Sequence, residues 1–213
     1  MSPVQGARFF IARHSETVFN AAGRMQGDAP HTPLTRAGFA QADEMGALLR
    51  VRLGPRPKLT LWASPAGRAL QTLAVIAEHL ELDWHRVRTD ERLREIDIGA
   101  WGGRYYADVA AELASFFDRS AGLFTRRPPG GEYYDDVALR LRAWLDDTTD
   151  EPGDRLIVMH GMSSRVLRGL LTGAAIRAGF AAPLADGIRQ GALVEIADGR
   201  ETILDSGDAF EPF

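Results

Sequence analysis

Three near-continuous apolar runs, residues 7–13, 59–64 and 155–160, constrain this chain most. Strands that read this way are buried on both faces, the condition of a parallel sheet covered by helices. A weaker strand is expected over residues 84–89. Farther along, residues 192–197 and 202–204 flank Asp198-Gly199, the dipeptide of a tight hairpin. At least one antiparallel strand therefore joins the sheet. Between the runs, helical spacing puts Ala42, Met45, Leu49 and Leu53 on one face, and Leu70, Leu73, Ala77 and Leu80 on another. Two further stripes are Val137, Leu141, Trp144, Leu145 and Val166, Leu167, Leu170, Leu171, Ala174. At these spacings Met and Trp belong to a core. Strand alternating with helix predicts an α/β protein, a three-layer α/β/α sandwich around a mostly parallel sheet.

The 213 residues, 45% of them hydrophobic, suit one domain over 1–213. A helical cap insertion is expected at about residues 102–131, ending in the loop Arg126-Arg127-Pro128-Pro129-Gly130-Gly131. No internal repeat is evident. The formal net charge is −4, so a basic nucleic-acid surface is not expected, although one cleft can still be electropositive. With no cysteine, a disulfide framework, a thiolate metal site and a Cys nucleophile are all excluded. The run Phe9-Phe10-Ile11-Ala12 is too short for a signal-peptide core, and no segment approaches the ~18 apolar residues of a membrane span. A soluble cytoplasmic protein without membrane partners is expected.

In open α/β sheets ligands bind beyond the carboxyl ends of the strands. The first strand ends in Arg13-His14-Ser15-Glu16-Thr17. The second ends in Ser64-Pro65, with Arg68 one helical turn on. The strand over 155–160 ends in His160-Gly161, before a helix. Two histidines and two arginines thus converge near helix N-termini, which favour anions. Each alone has an ordinary reading, a hydrogen-bonded structural His or a surface Arg; the coincidence of all four points to a phosphate pocket.

Other chemistries fit poorly. The histidines are His14, His31, His79, His85 and His160, and none forms H-x-H or H-E-x-x-H. Gly161-Met162-Ser163-Ser164-Arg165 lacks the final glycine of a nucleophile elbow, and no histidine follows it. Neither G-x-G-x-x-G after the first strand nor a P-loop is present.

The residues resemble those of the histidine phosphatase superfamily, also called phosphoglycerate mutase-like. Arg13-His14-Ser15-Glu16-Thr17-Val18-Phe19-Asn20 resembles its opening R-H-G-E-[ST]-x-x-N. Gly23-Arg24-Met25-Gln26-Gly27, Pro33-Leu34-Thr35-Arg36-Ala37-Gly38, and Ala63-Ser64-Pro65 through Arg68-Ala69-Leu70-Gln71-Thr72 resemble the blocks that follow. Leu93-Arg94-Glu95 with Gly99-Ala100-Trp101, then Gly130-Gly131-Glu132 and Val158-Met159-His160-Gly161, complete the family's order. Ser15 replaces the usual Gly, Gly103 stands where many members have Glu, and one extra residue precedes Pro33, next to His31.

The resemblance implies that His14 is the nucleophile and that Arg13, Arg68 and His160 stabilise phosphoryl oxygens. It implies substrate contacts for Asn20, Gln26, Gly27 and Gly161. Glu95 would be the acid that protonates the leaving group and later activates water. No metal or other cofactor is implied. Nearby cations should keep His14 unprotonated. Glu16 and Glu132 read as structural or rim residues. The expected activity is metal-independent hydrolysis of small phosphomonoesters through phosphohistidine. One alternative is a phosphoglycerate mutase; another, of a different class, is an inactive phosphoryl-binding scaffold. Only 65 residues separate Glu95 from His160, which looks short for a lid that excludes water. The acidic segment 205–213 is a poor closure over a polyanion, whereas Arg126-Arg127 could grip a second anionic group.

Overall fold

The computed structural model describes residues 6–204. The elements run β1 (Phe9–Arg13), α1 (Val18–Ala21), α2 (Arg36–Leu53), β2 (Leu59–Ala63), α3 (Gly67–His79), β3 (Arg88–Thr89), α4 (Tyr106–Glu112), β4 (Phe117–Asp118), β5 (Leu123–Phe124), α5 (Tyr134–Asp147), β6 (Asp154–Met159), α6 (Gly161–Leu171), β7 (Ile176–Arg177), β8 (Ala182–Pro183), β9 (Leu193–Ala197) and β10 (Arg200–Ile203). Six strands form one sheet in the order β10-β9-β1-β6-β2-β3. β1, β6, β2 and β3 are parallel; β9 pairs antiparallel with both β1 and β10. The β9–β10 hairpin turns at Asp198 (φ 49°) and Gly199 (φ 74°), two consecutive left-handed residues as a type I′ turn demands.

Strand side chains alternate between faces, and both faces are covered. Phe10 and Ala12 of β1 join Leu61, Ala63, Leu156 and Val158 under α2 and α3, which contribute Met45, Leu49, Leu73 and Ile76. Phe9 and Ile11 join Trp62, Ile157 and Met159 on the opposite face, under Leu141 and Trp144 of α5 and Val166 and Leu167 of α6. This gives the three expected layers. Burial of each of the larger of these side chains stabilises the fold by about 1.5–3 kcal/mol. Trp62 and Trp144 meet edge to face, with centroids 5.5 Å apart.

Two local expectations change. Residues 84–89 form mostly a 3-10 turn, Trp84–Arg86, because Asp83 caps it through the His85 N–H; only the two residues of β3 pair. Ala174 lies beyond the last helix. α6 closes on a Schellman motif in which Gly173 takes φ 67°, and the N–H groups of Gly173 and Ala174 donate to Leu170 and Gly169 carbonyls.

Residues 102–131 hold α4 and the small hairpin β4–β5. Val109, Phe116, Leu123 and Phe124 anchor them to the core beside α5 and α6. Among the described residues no helix is long and apolar enough to cross a membrane. The acidic segment 205–213 lies outside the described residues.

Candidate active site

The sheet register builds the site. The His14 N–H donates to the Met159 carbonyl at 2.9 Å, continuing the β1–β6 ladder one step past both strands. This places His14 beside His160, the N-cap of α6; their rings are 5.2 Å apart at 64°. The Ser64 N–H donates to Val158 O, so β2 ends alongside and α3 delivers Arg68 in its first turn. His14, Arg68 and His160 are buried, and Glu95 is only 9% exposed.

The Nδ1 of His14 lies 2.8 Å from the Ser15 carbonyl. A carbonyl only accepts, so Nδ1 carries the proton and Nε2 holds the lone pair. Burial first, then the charges of Arg68 and Arg13, hold His14 well below the usual histidine range. The same order of causes, burial before Arg68, lowers His160.

Arg68 gives its Nε–H to His160 Nδ1 at 3.2 Å, Nη1–H groups to Ala29 O at 2.5 Å and Thr32 Oγ1 at 3.0 Å, and an Nη2–H to Gly27 O at 2.7 Å. Burial lowers its guanidinium to about 10, against the attraction of Glu95 and Asp28. Arg13 donates Nη1–H to Ile188 O at 2.8 Å. Two buried nitrogens at this centre, Arg13 Nε and His160 Nε2, have no partner among the described residues. An orphaned buried donor costs about 1–3 kcal/mol, so such a pair marks a place for an acceptor.

Glu95 takes the helix terminus that sequence reasoning left to the phosphate. Its Oε1 accepts from the Ile96 and Ser163 N–H groups, each at 2.9 Å, and its Oε2 from the Met162 N–H at 3.0 Å. Two of these donors are in the first turn of α6, so the carboxylate is itself the anion bound there.

Arg13, His14, Asn20, Gln26, Gly27, Arg68, Glu95 and Gly161 all line one cleft. His160, fully buried, packs against the lining ring of His14. A Cβ on Gly161 would come within 3.3 Å of the Arg13 guanidinium carbon, so glycine leaves that cation its position. Thr17, which the sequence reading did not single out, organises the polar wall. It caps α1 through the Asn20 N–H, and its hydroxyl lies within hydrogen-bonding distance of Asn20 Oδ1 and Gln26 Oε1. The signal was there: Thr17-x-x-Asn20 has capping-box spacing. Nothing in the sequence marked Thr32 or the cleft residue Tyr106, and Arg24, also in the cleft, stood in the Gly23–Gly27 block without an assigned role. Burial pushes the Tyr106 phenol up to about 12, opposed by Arg13.

Other singled-out residues lie off the cleft. Ser15 is fully buried, with its N–H on Thr72 Oγ1, so the exchange for glycine adds no side chain to the wall. His31 is exposed. Glu16 accepts from the Thr35 hydroxyl, and Glu132 pairs with Arg140 and accepts the Asp97 N–H. A Cβ on Gly131 would meet Asp97 O at 2.5 Å; the Gly-Gly-Glu turn clasps the segment that carries Glu95. Arg127 pairs with Asp135 and Asp136, and Arg126 is exposed. Among the described residues no three His, Asp or Glu side chains group so as to hold a metal ion.

A mostly parallel α/β sheet thus carries a buried, cation-flanked histidine pair at its strand ends. The chain belongs to the histidine phosphatase superfamily, branch 1, whose sequence profile matches residues 9–207. It is 33% identical over 167 residues to the probable phosphoglycerate mutase GpmB of Yersinia enterocolitica, covering 77% of this chain and 74% of that one. Its fold is similar to that of mycobacterial glucosyl-3-phosphoglycerate phosphatase, solved with VO3. There the TM-score is 0.76 and the identity 27%, over 93% of this chain and 97% of the other. A putative alpha-ribazole-5'-P phosphatase of Escherichia coli shares the fold at TM-score 0.71 and 24% identity, over 92% and 94% of the two chains.

Proposed function

We propose that this protein is a metal-independent phosphatase that hydrolyses small phosphomonoesters through a phosphohistidine on His14. The observation that carries the reading is the state of His14: buried, neutral, protonated on Nδ1, with Nε2 free beside two arginines. In the first step Nε2 attacks phosphorus and the ester P–O bond breaks. The Glu95 carboxylate takes the proton carried by the ester monoanion and passes it to the departing oxygen, so the alcohol leaves neutral. In the second step Glu95 takes a proton from water, the hydroxide oxygen bonds to phosphorus, and the P–N bond breaks to regenerate His14. Arg13 and the Nε2–H of His160 donate to the equatorial oxygens, and Arg68 adds charge. Asn20, Gln26, Gly27 and Gly161 contact the substrate. Residues 102–131 act as a cap on a single domain. A cytoplasmic location belongs to the same proposal.

Hydrolysis is favoured over mutase chemistry by what the cap supplies. It gives the cleft wall Tyr106 and Phe124, while its cations face elsewhere: Arg104 pairs with Glu112 and Arg127 with Asp135 and Asp136. None of the cap's arginines, Arg104, Arg119, Arg126 and Arg127, lines the cleft. Brief exposure to a labelled monoester, followed by an alkaline quench, should leave an acid-labile phosphoryl group on His14. A phosphoester panel should release inorganic phosphate. Efficient interconversion of 3- and 2-phosphoglycerate with little release would make the protein a mutase. Phosphate binding with no turnover would make it a scaffold.

A further inference from the structure

We infer that Arg24 is a specificity-determining residue that binds a second anionic group on the substrate. The inference rests on the phosphatase reading for its first readout only. Arg24 lines the same cleft as His14 and Arg68, yet it is half-buried where they are fully buried. Its side chain is held before any ligand arrives. The Nε–H donates to Gly103 O at 2.7 Å. The guanidinium carbon lies 4.8 Å from the Phe19 ring centroid and 5.2 Å from that of Tyr105. The backbone is fixed as well: Met25 N–H donates to Arg104 O, Gly103 N–H to Met25 O, and Tyr106 N–H to Gly23 O.

Such fixing removes the rotamer entropy that an arginine ordinarily loses on binding. With Nε committed, the two terminal nitrogens remain as a planar fork, the shape that matches a carboxylate or phosphate end-on. Neighbouring arginines spend this fork on carboxylates: Arg94 and Arg140 on Glu132, Arg104 on Glu112. Arg24 has no acidic partner among the described residues. A role confined to anchoring the Gly103 loop accounts for Nε and leaves the fork unexplained. Ile96, Ile98, Phe124 and Met162 supply apolar wall to the same cleft, suited to a short carbon skeleton. The substrate class is thus a compact phosphomonoester with a second anionic group, either a carboxylate or another phosphate.

The test uses three probes: 3-phosphoglycerate, propane-1,3-diol bisphosphate, and glycerol 3-phosphate, which lacks a second anion. Each is measured with the native protein, Arg24→Gln and Arg24→Lys. One readout is kcat/KM for phosphate release. The other is calorimetric Kd in a His14→Ala background, where turnover is blocked. Arg24→Gln should cut the preference for an acidic probe over glycerol 3-phosphate by about 10- to 100-fold, the worth of one or two charge-assisted hydrogen bonds. The loss should fall on KM rather than kcat. Arg24→Lys loses the Gly103 bond as well but keeps the charge, and should retain more of the preference. The acidic probe that suffers more identifies the second group. An unchanged preference in Arg24→Gln, or an equal loss on all probes in both variants, would overturn the inference and leave Arg24 a loop anchor. If no probe releases phosphate but the Kd preference still shifts in Arg24→Gln, the phosphatase reading fails and the Arg24 assignment stands.

Discussion

Arg68 donates its Nε–H to Nδ1 of His160 over 3.2 Å, and an arginine has no acceptor to offer in return. The proton of His160 is therefore on Nε2. His14, 5.2 Å away, has the opposite arrangement, since its Nδ1–H points at the Ser15 carbonyl and Nε2 is bare. Two buried neutral histidines are thus set in different tautomers by different partners. One ring presents a donor and the other a lone pair, and Arg68 is responsible for the first.

Arg68→Lys tests that relationship. An ammonium on a flexible stem cannot serve His160, Thr32 and the Gly27 and Ala29 carbonyls together. Catalytic efficiency should fall about 10²–10³-fold, the scale of a lost transition-state donor. Unfolding free energy should fall by about 2–3 kcal/mol, because buried acceptors are left unpaired. Phosphate release and urea unfolding measure the two effects. Near-native kcat/KM would show that His160 holds its tautomer without Arg68.

The lowered histidines make acid stability a second test. In the unfolded chain both rings titrate near 6.5; in the folded protein burial and the arginines hold both well below that. Between these values the unfolded state binds more protons than the folded state, so stability falls as pH drops below about 6.5. With both rings neutral in the fold, the slope approaches about 2.7 kcal/mol per pH unit. His14 must be neutral to attack, so kcat/KM should stay level from pH 7 to about 6. Urea unfolding at pH 5, 6 and 7 checks the slope. A stability independent of pH over this range would mean that the two rings titrate in the fold as they do in the unfolded chain.

Much of this could be read from residue order. The strands were legible because burial on both faces leaves no polar alternation, and Asp198-Gly199 announced its hairpin because both residues must be left-handed. The residues at the strand ends were legible because the family's motifs run in order. Thr32 was not, since its role is one hydroxyl against a buried guanidinium from another element. Tyr106 was not, and Arg24 was legible only as a motif position without a role, since each enters the cleft only when residues 23–25 pair with residues 103–106. Residues 84–89 misled because one capping aspartate tips a short segment from strand to turn.

Metal dependence is a third test. In the proposed steps the charge opposite the phosphoryl group comes from Arg13 and Arg68, both in the cleft wall. Phosphate release should survive exhaustive chelation with less than about a twofold change, far below the effect of removing a catalytic Lewis acid. Activity lost to chelation and restored by one divalent metal would count against the proposed steps.

Glu95→Gln gives the last test, and the structure changes how it must be read. The substitution is nearly isosteric, but it is not silent. Oε1 accepts two backbone N–H groups and Oε2 one, so either orientation of the amide turns a donor against a donor. The better orientation orphans Met162 N–H, and stability should fall by about 1–3 kcal/mol. Any distortion of α6 that follows slows every substrate alike, so absolute rates cannot isolate proton transfer. The ratio between leaving groups can. An alkoxide needs a proton as it departs, and a nitrophenolate does not. Phosphorylation of His14 by an alkyl phosphate should slow about 10²–10⁴-fold, and by p-nitrophenyl phosphate much less. Slow dephosphorylation should then appear as a burst of nitrophenol, resolved in single-turnover measurements. Equal slowing for both leaving groups would make Glu95 a brace for α6 rather than the acid. Asp97 is poorly placed to substitute, since it lies off the cleft wall and its Oδ1 accepts the Gly99 N–H at 2.8 Å. Glu95 is the one carboxylate among the described residues that line the cleft. That outcome would therefore leave the departing oxygen to be protonated by water.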